Sequence, residues 1–192
     1  MSVDLWLDPY LAEICARSGD RPVLELGCGR GVDSAVLVHA GCRVVGIDKS
    51  AAAVAQATER VPAALFYCQD MLEPFPLRSG DVGVVVASLC LHYFPWRETL
   101  RLVQRLRDVL SPGGMLICRL NSTNDRHHGS IGHPQLDRNY FLVNGRPKRF
   151  FDQTDVDLLF ASGWHVRTRV EEVIERYAKP KVIWRVVGDV AA

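Results

Sequence analysis

A glycine-rich turn near the amino terminus has the residue types and spacing of a nucleoside site. In VLELGCGRGVDS (23–34), Glu25 closes an apolar run and is followed by Gly27, Gly29 and Gly31 before a helical pattern begins. Glycines at such a strand-to-helix turn let the backbone bend sharply and bring bare peptide groups against a ligand. Asp48 ends the next apolar run, CRVVGID (42–48). In a parallel sheet that position lies beside the first turn, where a carboxylate can hold a ribose diol. A dinucleotide fingerprint wants G-x-G-x-x-G, but here the third glycine comes one residue early and position 32 is Val. Asp33 would also repel a pyrophosphate at the helix start. No G-K-[ST] follows, so a P-loop is excluded.

Further along, His92 follows the apolar run DVGVVVASLC (81–90), at the sheet edge where a second reactant would sit. An imidazole there can take a proton from a hydroxyl or amine, or can simply orient its loop. Tyr93 and Phe94 are expected to wall the same pocket. His127, His128 and His133, with Asp125 and Asp137, lack the i, i+4 helical spacing of a metal site. Asn121, Asn124 and Asp125 keep a magnesium alternative open, but no metal is expected.

The elements that must position these groups alternate. A helix is expected from Asp8, as its cap, to Gly19, with Leu11, Ile14 and Cys15 on one face. Strands are expected at 22–27, 42–48, 64–70, 81–90 and 115–120. Helices fall at 33–41, at 51–60 capped by Ser50, and at 95–110 with Leu102 and Leu106 inward. SPGG (111–114) reads as a turn, Thr154 with Asp157 as a capping box, and 164–177 with 181–190 as an antiparallel pair. Such alternation, with strands apolar on both faces, implies an α/β fold: a doubly wound, mostly parallel sheet with helices on both faces. Residues 121–151 break the rhythm, being polar, rich in Gly and Pro, and basic through Arg126, Arg138, Arg146, Lys148 and Arg149. The expectation is one domain over 1–192 with an embedded substrate lid at 121–151.

Composition narrows the partners. The 192 residues carry 23 Lys plus Arg against 22 Asp plus Glu, a net charge of +1 that argues against a nucleic-acid partner. The six cysteines form no CxxC, and Cys42, Cys68, Cys90 and Cys118 sit in or beside apolar runs. Buried free thiols in a reducing compartment are expected. The opening MSVDLWLDPY lacks a basic stretch leading into an apolar one, and no run approaches a membrane span of ~18 apolar residues. A cytoplasmic protein, monomer or homodimer, with no membrane partner is expected.

Taken together, ELGCGRG (25–31), GIDKS (46–50), QDM (69–71) and LSPGGMLI (110–117) resemble the class I S-adenosylmethionine-dependent methyltransferases over roughly residues 20–120. The opening DLWLDPYL is similar to that of the thiopurine- and tellurite-type small-molecule members. The resemblance implies a Rossmann-like sheet of seven strands with an antiparallel last strand. It implies S-adenosyl-L-methionine as cofactor and S-adenosyl-L-homocysteine as product. Gly27 and Gly29, with Glu25 behind them, would line the methionine part, and Asp48 would take the ribose hydroxyls. Asp70 would meet the adenine amino group, with Met71 against the ring. Lys49 stands where the family often places an apolar adenine neighbour. Ala87 and Ser88 would offer backbone to the methionine ammonium.

The function so implied is direct in-line methyl transfer to an O, N or S atom of a small acceptor, with anionic acceptors among the candidates. His92 is the catalytic candidate. Tyr10, Tyr93, Asn121, Arg126, His127, Tyr140 and Arg149 are the acceptor-binding candidates. The N/D-P-P-Y/F segment of amino methyltransferases acting on nucleic acid is absent, since the chain reads Ser88-Leu89-Cys90-Leu91-His92. An NAD(P)-dependent oxidoreductase and a non-catalytic nucleoside- or partner-binding protein are the competing readings.

Overall fold

The computed structural model describes residues 5–175 and 177–190. A 3-10 turn at Asp8–Tyr10 leads into α1 (Leu11–Ser18). There follow β1 (Val23–Leu26), α2 (Val32–His39), β2 (Val44–Asp48), α3 (Ala51–Arg60), β3 (Leu65–Cys68) and β4 (Val82–Ser88). After α4 (Trp96–Val109) and β5 (Leu110–Asn121) come three short strands: β6 (Gln135–Asp137), β7 (Tyr140–Val143) and β8 (Arg146–Arg149). The chain ends with α5 (Gln153–Leu159), β9 (Trp164–Ile174) and β10 (Lys181–Val190).

Seven strands form one sheet in the order β3-β2-β1-β4-β5-β10-β9. β1 pairs in parallel with both β2 and β4, and β10 runs antiparallel to β5 and β9. All four residues of β1 are buried, as a strand covered on both faces requires. Leu24, Leu26, Val85 and Leu116 pack on one face with α4 and α5, while Val23, Val84, Val86 and Ile117 pack on the other with Ile14 of α1 and Leu37 of α2. On α4, Leu102 and Leu106 are fully buried and share a face with Thr99, Val103 and Val109. Burying each leucine is worth ~1.5–3 kcal/mol, which seats that amphipathic helix on the sheet. Strand order reverses on either side of β1, so a crevice opens outside the carboxyl ends of β1 and β4.

Several local expectations are corrected. Asp8 does not cap α1, because the chain enters that helix through the 3-10 turn and neither start carries a side-chain cap. Ser50 does cap α3, accepting from Ala53 N at 3.3 Å. The capping box of α5 is Asp152 with Asp155, not Thr154 with Asp157, since the helix begins at Gln153. SPGG lies inside β5 as an irregularity: Val82 pairs with Leu110 and Val84 with Met115. Cys68 is exposed, because β3 is the sheet edge, and β10 lies inside the sheet with only β9 outside it.

Residues 121–151 contain a three-stranded antiparallel sheet, β6-β7-β8, rather than an irregular loop. Its β7–β8 hairpin turns at Asn144 and Gly145, both at positive φ (50° and 74°). Asn-Gly is the pair that accepts this conformation best in a two-residue hairpin. Arg138 clamps the small sheet to the start of α5, reaching Asp152 Oδ2 at 2.7 Å and Asp155 Oδ1 at 2.5 Å.

Candidate functional site

The crevice at the β1/β4 reversal is a cleft of about 580 Å³ whose wall includes Gly27, Asp48, Lys49, Asp70, Met71 and Cys90. That volume is in the range of small-ligand sites. Gly27 has φ +62°, and a Cβ there would stand 2.5 Å from Cys90 Cβ. Only glycine allows the turn to pass this close. Asp48 is fixed at the end of β2: its Oδ2 accepts from Gly29 N and its Oδ1 from Ser50 N, each at 2.9 Å. A carboxylate oxygen has two lone pairs, so both oxygens keep acceptor capacity for a diol at the cleft. Asp70 is fixed in the same way, its Oδ1 accepting from Leu72 N at 2.9 Å. Arg105 of α4 donates to the carbonyls of Met71 (3.2 Å) and Leu72 (2.8 Å), which holds that turn at the cleft. Fixed acceptors for a diol and an amino group, with Met71 in the same wall, fit an adenosine.

Glu25 does not line the cleft. It is buried behind the glycine turn and accepts from Ser34 Oγ. Burial, followed by the charge of Asp33, raises its carboxyl from 4.5 to about 8. Gly29 contributes through its N–H on Asp48, and Ala87 is buried in β4.

A second cavity, about 320 Å³, adjoins the cleft and shares Leu89 and Tyr93 with it. It is lined by Ser88, His92, Asn121, Lys148 and Lys181 among others. Leu89 has φ 53°, an unfavourable conformation for a branched side chain that costs on the order of 1–3 kcal/mol. Such outliers cluster where backbone is aimed at a ligand, and Leu89 stands between the two spaces. His92 is 4% exposed and its Nδ1 has no hydrogen-bond partner. Burial, with added repulsion from Lys181 and then Lys148, lowers its pKa from 6.5 to about 3, so the ring is neutral at ordinary pH.

Of the acceptor candidates, Tyr93 and Asn121 face this region. The others are placed elsewhere. Tyr140 is buried and donates to Tyr93 O at 3.1 Å, and Arg149 donates to Phe94 O at 3.4 Å and Arg138 O at 3.0 Å. Both therefore brace the 93–94 segment from behind. Tyr10 packs its ring under Arg185, 5.6 Å from the guanidinium carbon. Arg126 and His127 are exposed, outside both cavities. Among the described residues no group of three or more His, Cys, Asp or Glu could hold a metal ion.

Sequence reasoning missed Lys181, Tyr177, Ser50 and Leu89 as wall residues, and read Lys148 and His128 only as parts of the polar segment. One signal was present for Lys181, a lone cation opening the apolar strand KVIW. Leu89 carries no signal in its residue type.

Comparison with known proteins bears on the same regions. Residues 23–114 match the family described as Methyltransferase domain. An uncharacterized methyltransferase of Synechocystis sp. is 34% identical over 103 residues, 54% of this chain and 48% of that protein. The chain thus spans about half the length of that curated relative. Among solved structures, an S-adenosylmethionine-dependent methyltransferase of Methanosarcina mazei superposes with a TM-score of 0.77 at 17% identity, covering 89% of this chain and 92% of that one. The 1,6-didemethyltoxoflavin-N1-methyltransferase of Burkholderia thailandensis, solved with bound 1,6-didemethyltoxoflavin and S-adenosylhomocysteine, gives a TM-score of 0.69 at 20% identity over 98% and 82% of the two chains. In its sheet order the chain shares the fold of these solved S-adenosylmethionine-dependent methyltransferases, and its residues 23–114 match the Methyltransferase domain family.

Proposed function

We propose that this protein is an S-adenosylmethionine-dependent methyltransferase that moves a methyl group to an O, N or S atom of a small molecule. The observation that carries the reading is Asp48, locked by two backbone N–H groups at the rim of a cleft that also holds Gly27 and Asp70. In this reading Asp48 takes the ribose hydroxyls and Asp70 the adenine amino group, with Met71 and Lys49 beside the ring. The turn at Gly27 and Gly29, backed by Glu25, with Ala87 and Ser88, receives the methionine portion. The bound sulfonium supplies an electrophilic methyl.

What the protein adds is alignment and exclusion of water. His92 is the proposed proton acceptor. A neutral imidazole with so low a pKa cannot strip a hydroxyl beforehand. It can take the proton as the new bond forms, because methylation makes that proton strongly acidic. Tyr93 and Asn121 contact the acceptor, while Tyr140 and Arg149 act through the 93–94 segment they brace. Residues 121–151 form the acceptor lid, with Arg126 and His127 on its outer side. The finer likeness to thiopurine- and tellurite-type members rests on the opening segment. Trp6 there donates to Asp33 Oδ2 at 3.1 Å and stacks on Arg119, next to the glycine turn.

We place the protein in the cytoplasm, as monomer or homodimer, without metal or nucleic-acid partner. All six cysteines are free, in keeping with a reducing compartment. Calorimetry tests the reading: S-adenosylhomocysteine is expected to bind at micromolar or better and more tightly than NAD. Tighter binding of NAD would favour the oxidoreductase instead.

A further inference from the structure

The cavity beside the cleft is lined by two lysines, Lys148 and Lys181. Lys181 is 8% exposed and pairs with the buried Asp125 at 3.2 Å. Across the same cavity Lys148, half-buried on β8, has no carboxylate within ion-pair distance among the described residues. Burial and the charges of Lys181 and Arg146 weaken its hold on its proton. His92 in the same wall is neutral and leaves Nδ1 unpartnered. The Lys148 ammonium thus borders a small, partly enclosed space with no described carboxylate paired to it, and a low-dielectric wall strengthens its pull on an anion.

We propose that this cavity is a carboxylate-binding subsite, in which Lys148 is the specificity-determining residue that anchors a monoanionic methyl acceptor. The inference rests on the methyltransferase reading and names the substrate class of that same site. One ammonium, that of Lys148, matches a monoanionic carboxylate better than a dianionic phosphate. The anchored group is not the atom that is methylated. An ammonium stabilises the free carboxylate more than a transition state in which its charge is vanishing, and an interaction stronger in the ground state slows the step. The methyl therefore goes from sulfur to a different acceptor atom nearer the cleft. The sulfur keeps the electron pair of the broken S–C bond, the proton released from the acceptor atom passes to His92, and the product retains its carboxylate on Lys148. Asn121 and Ser88 in the wall supply neutral hydrogen-bonding groups for the rest of a small acid.

The test uses benzoate and its uncharged isostere benzamide as probes, titrated into the full chain saturated with S-adenosylhomocysteine. The His92 ring, labelled with ¹³C, is followed by NMR. Benzoate is expected to shift that resonance saturably, and benzamide at least ~10-fold more weakly, the scale of one charge-assisted contact. Lys148→Met should weaken benzoate by a similar factor and Lys148→Arg should restore most of it, with melting temperatures reporting that both variants fold. Equal binding of benzoate and benzamide, benzoate binding unaffected by Lys148→Met, or inorganic phosphate binding tighter than benzoate would each overturn the proposal. Failure of S-adenosylhomocysteine to bind would instead strike the cofactor reading, and the benzoate response of the chain alone would still decide the subsite.

Discussion

The cleft around Gly27, Asp48 and Asp70 takes most of its wall from turns between residues 27 and 94, at the ends of neighbouring parallel strands. The cavity next to it is assembled from Ser88, His92, Asn121, Lys148 and Lys181, segments far apart in the chain. The first is built on backbone: fixed N–H groups orient Asp48 and Asp70, and a glycine lets the turn approach Cys90. The second is built on side chains that the β6-β7-β8 sheet and the antiparallel β10 deliver. A nucleoside site made of strand-end backbone comes with the fold, whereas an acceptor site made of side chains from separate segments can change without disturbing it.

The largest effect should come from breaking the backbone side of this contrast. Gly27→Val would place a branched Cβ at φ +62° and 2.5 Å from Cys90 Cβ. Strain of about 1–3 kcal/mol plus the clash is expected to lower the melting temperature and weaken S-adenosylhomocysteine at least ~100-fold. A variant that binds normally would show that the turn has room to spare.

Next in size is the side-chain half. His92→Gln is expected to lower kcat by about 10²–10⁴-fold with a smaller change in KM. Because burial holds the wild-type ring neutral down to about pH 3, the kcat profile should show no His92 limb near pH 6.5. A limb at that pH that disappears in the variant would contradict the buried, neutral imidazole.

The smallest effect separates the two regions by pH. Glu25 has a folded-state pKa raised from 4.5 to about 8, so its contribution to stability is full below pH 4.5 and is lost as pH rises to about 8. His92 runs the opposite way: its depressed pKa favours the fold above pH 6.5, and that contribution is lost as pH falls toward 3. Between pH 6.5 and 8 only the Glu25 slope remains of the two. Urea denaturation should show wild-type stability falling across that window, and Glu25→Gln should flatten the fall. An equal fall in the variant would mean that Glu25 is ionised throughout.

The same contrast explains what was legible in the sequence. The strand-turn-helix at 23–34 and the carboxylate at Asp48 are local patterns, and neighbouring parallel strands bring them together as the spacing implies. Alternation of elements implied the doubly wound, mostly parallel sheet and the family resemblance its seven strands, although the start of α1 and the capping box of α5 shifted to nearby residues. The 121–151 segment reads as irregular because its strands are only three or four residues long, and two of them, QLD and RPKR, are largely polar. Asn144-Gly145 was its one strong turn signal. Arg149 and Tyr140 have the residue types of ligand contacts, yet both are buried behind the wall, since an Arg or Tyr buried with partners looks no different in sequence from one facing a substrate.

The central claim is that a nucleoside cofactor sits against Asp48. The direct measurement is calorimetric titration of S-adenosylhomocysteine into the wild-type chain and Asp48→Ala. One site per chain is expected, with the variant weaker by about 1.5–3 kcal/mol, the scale of hydrogen bonds to a charged group. Equal affinity in the two proteins would contradict the placement of the ribose, and with it the assignment of the cleft.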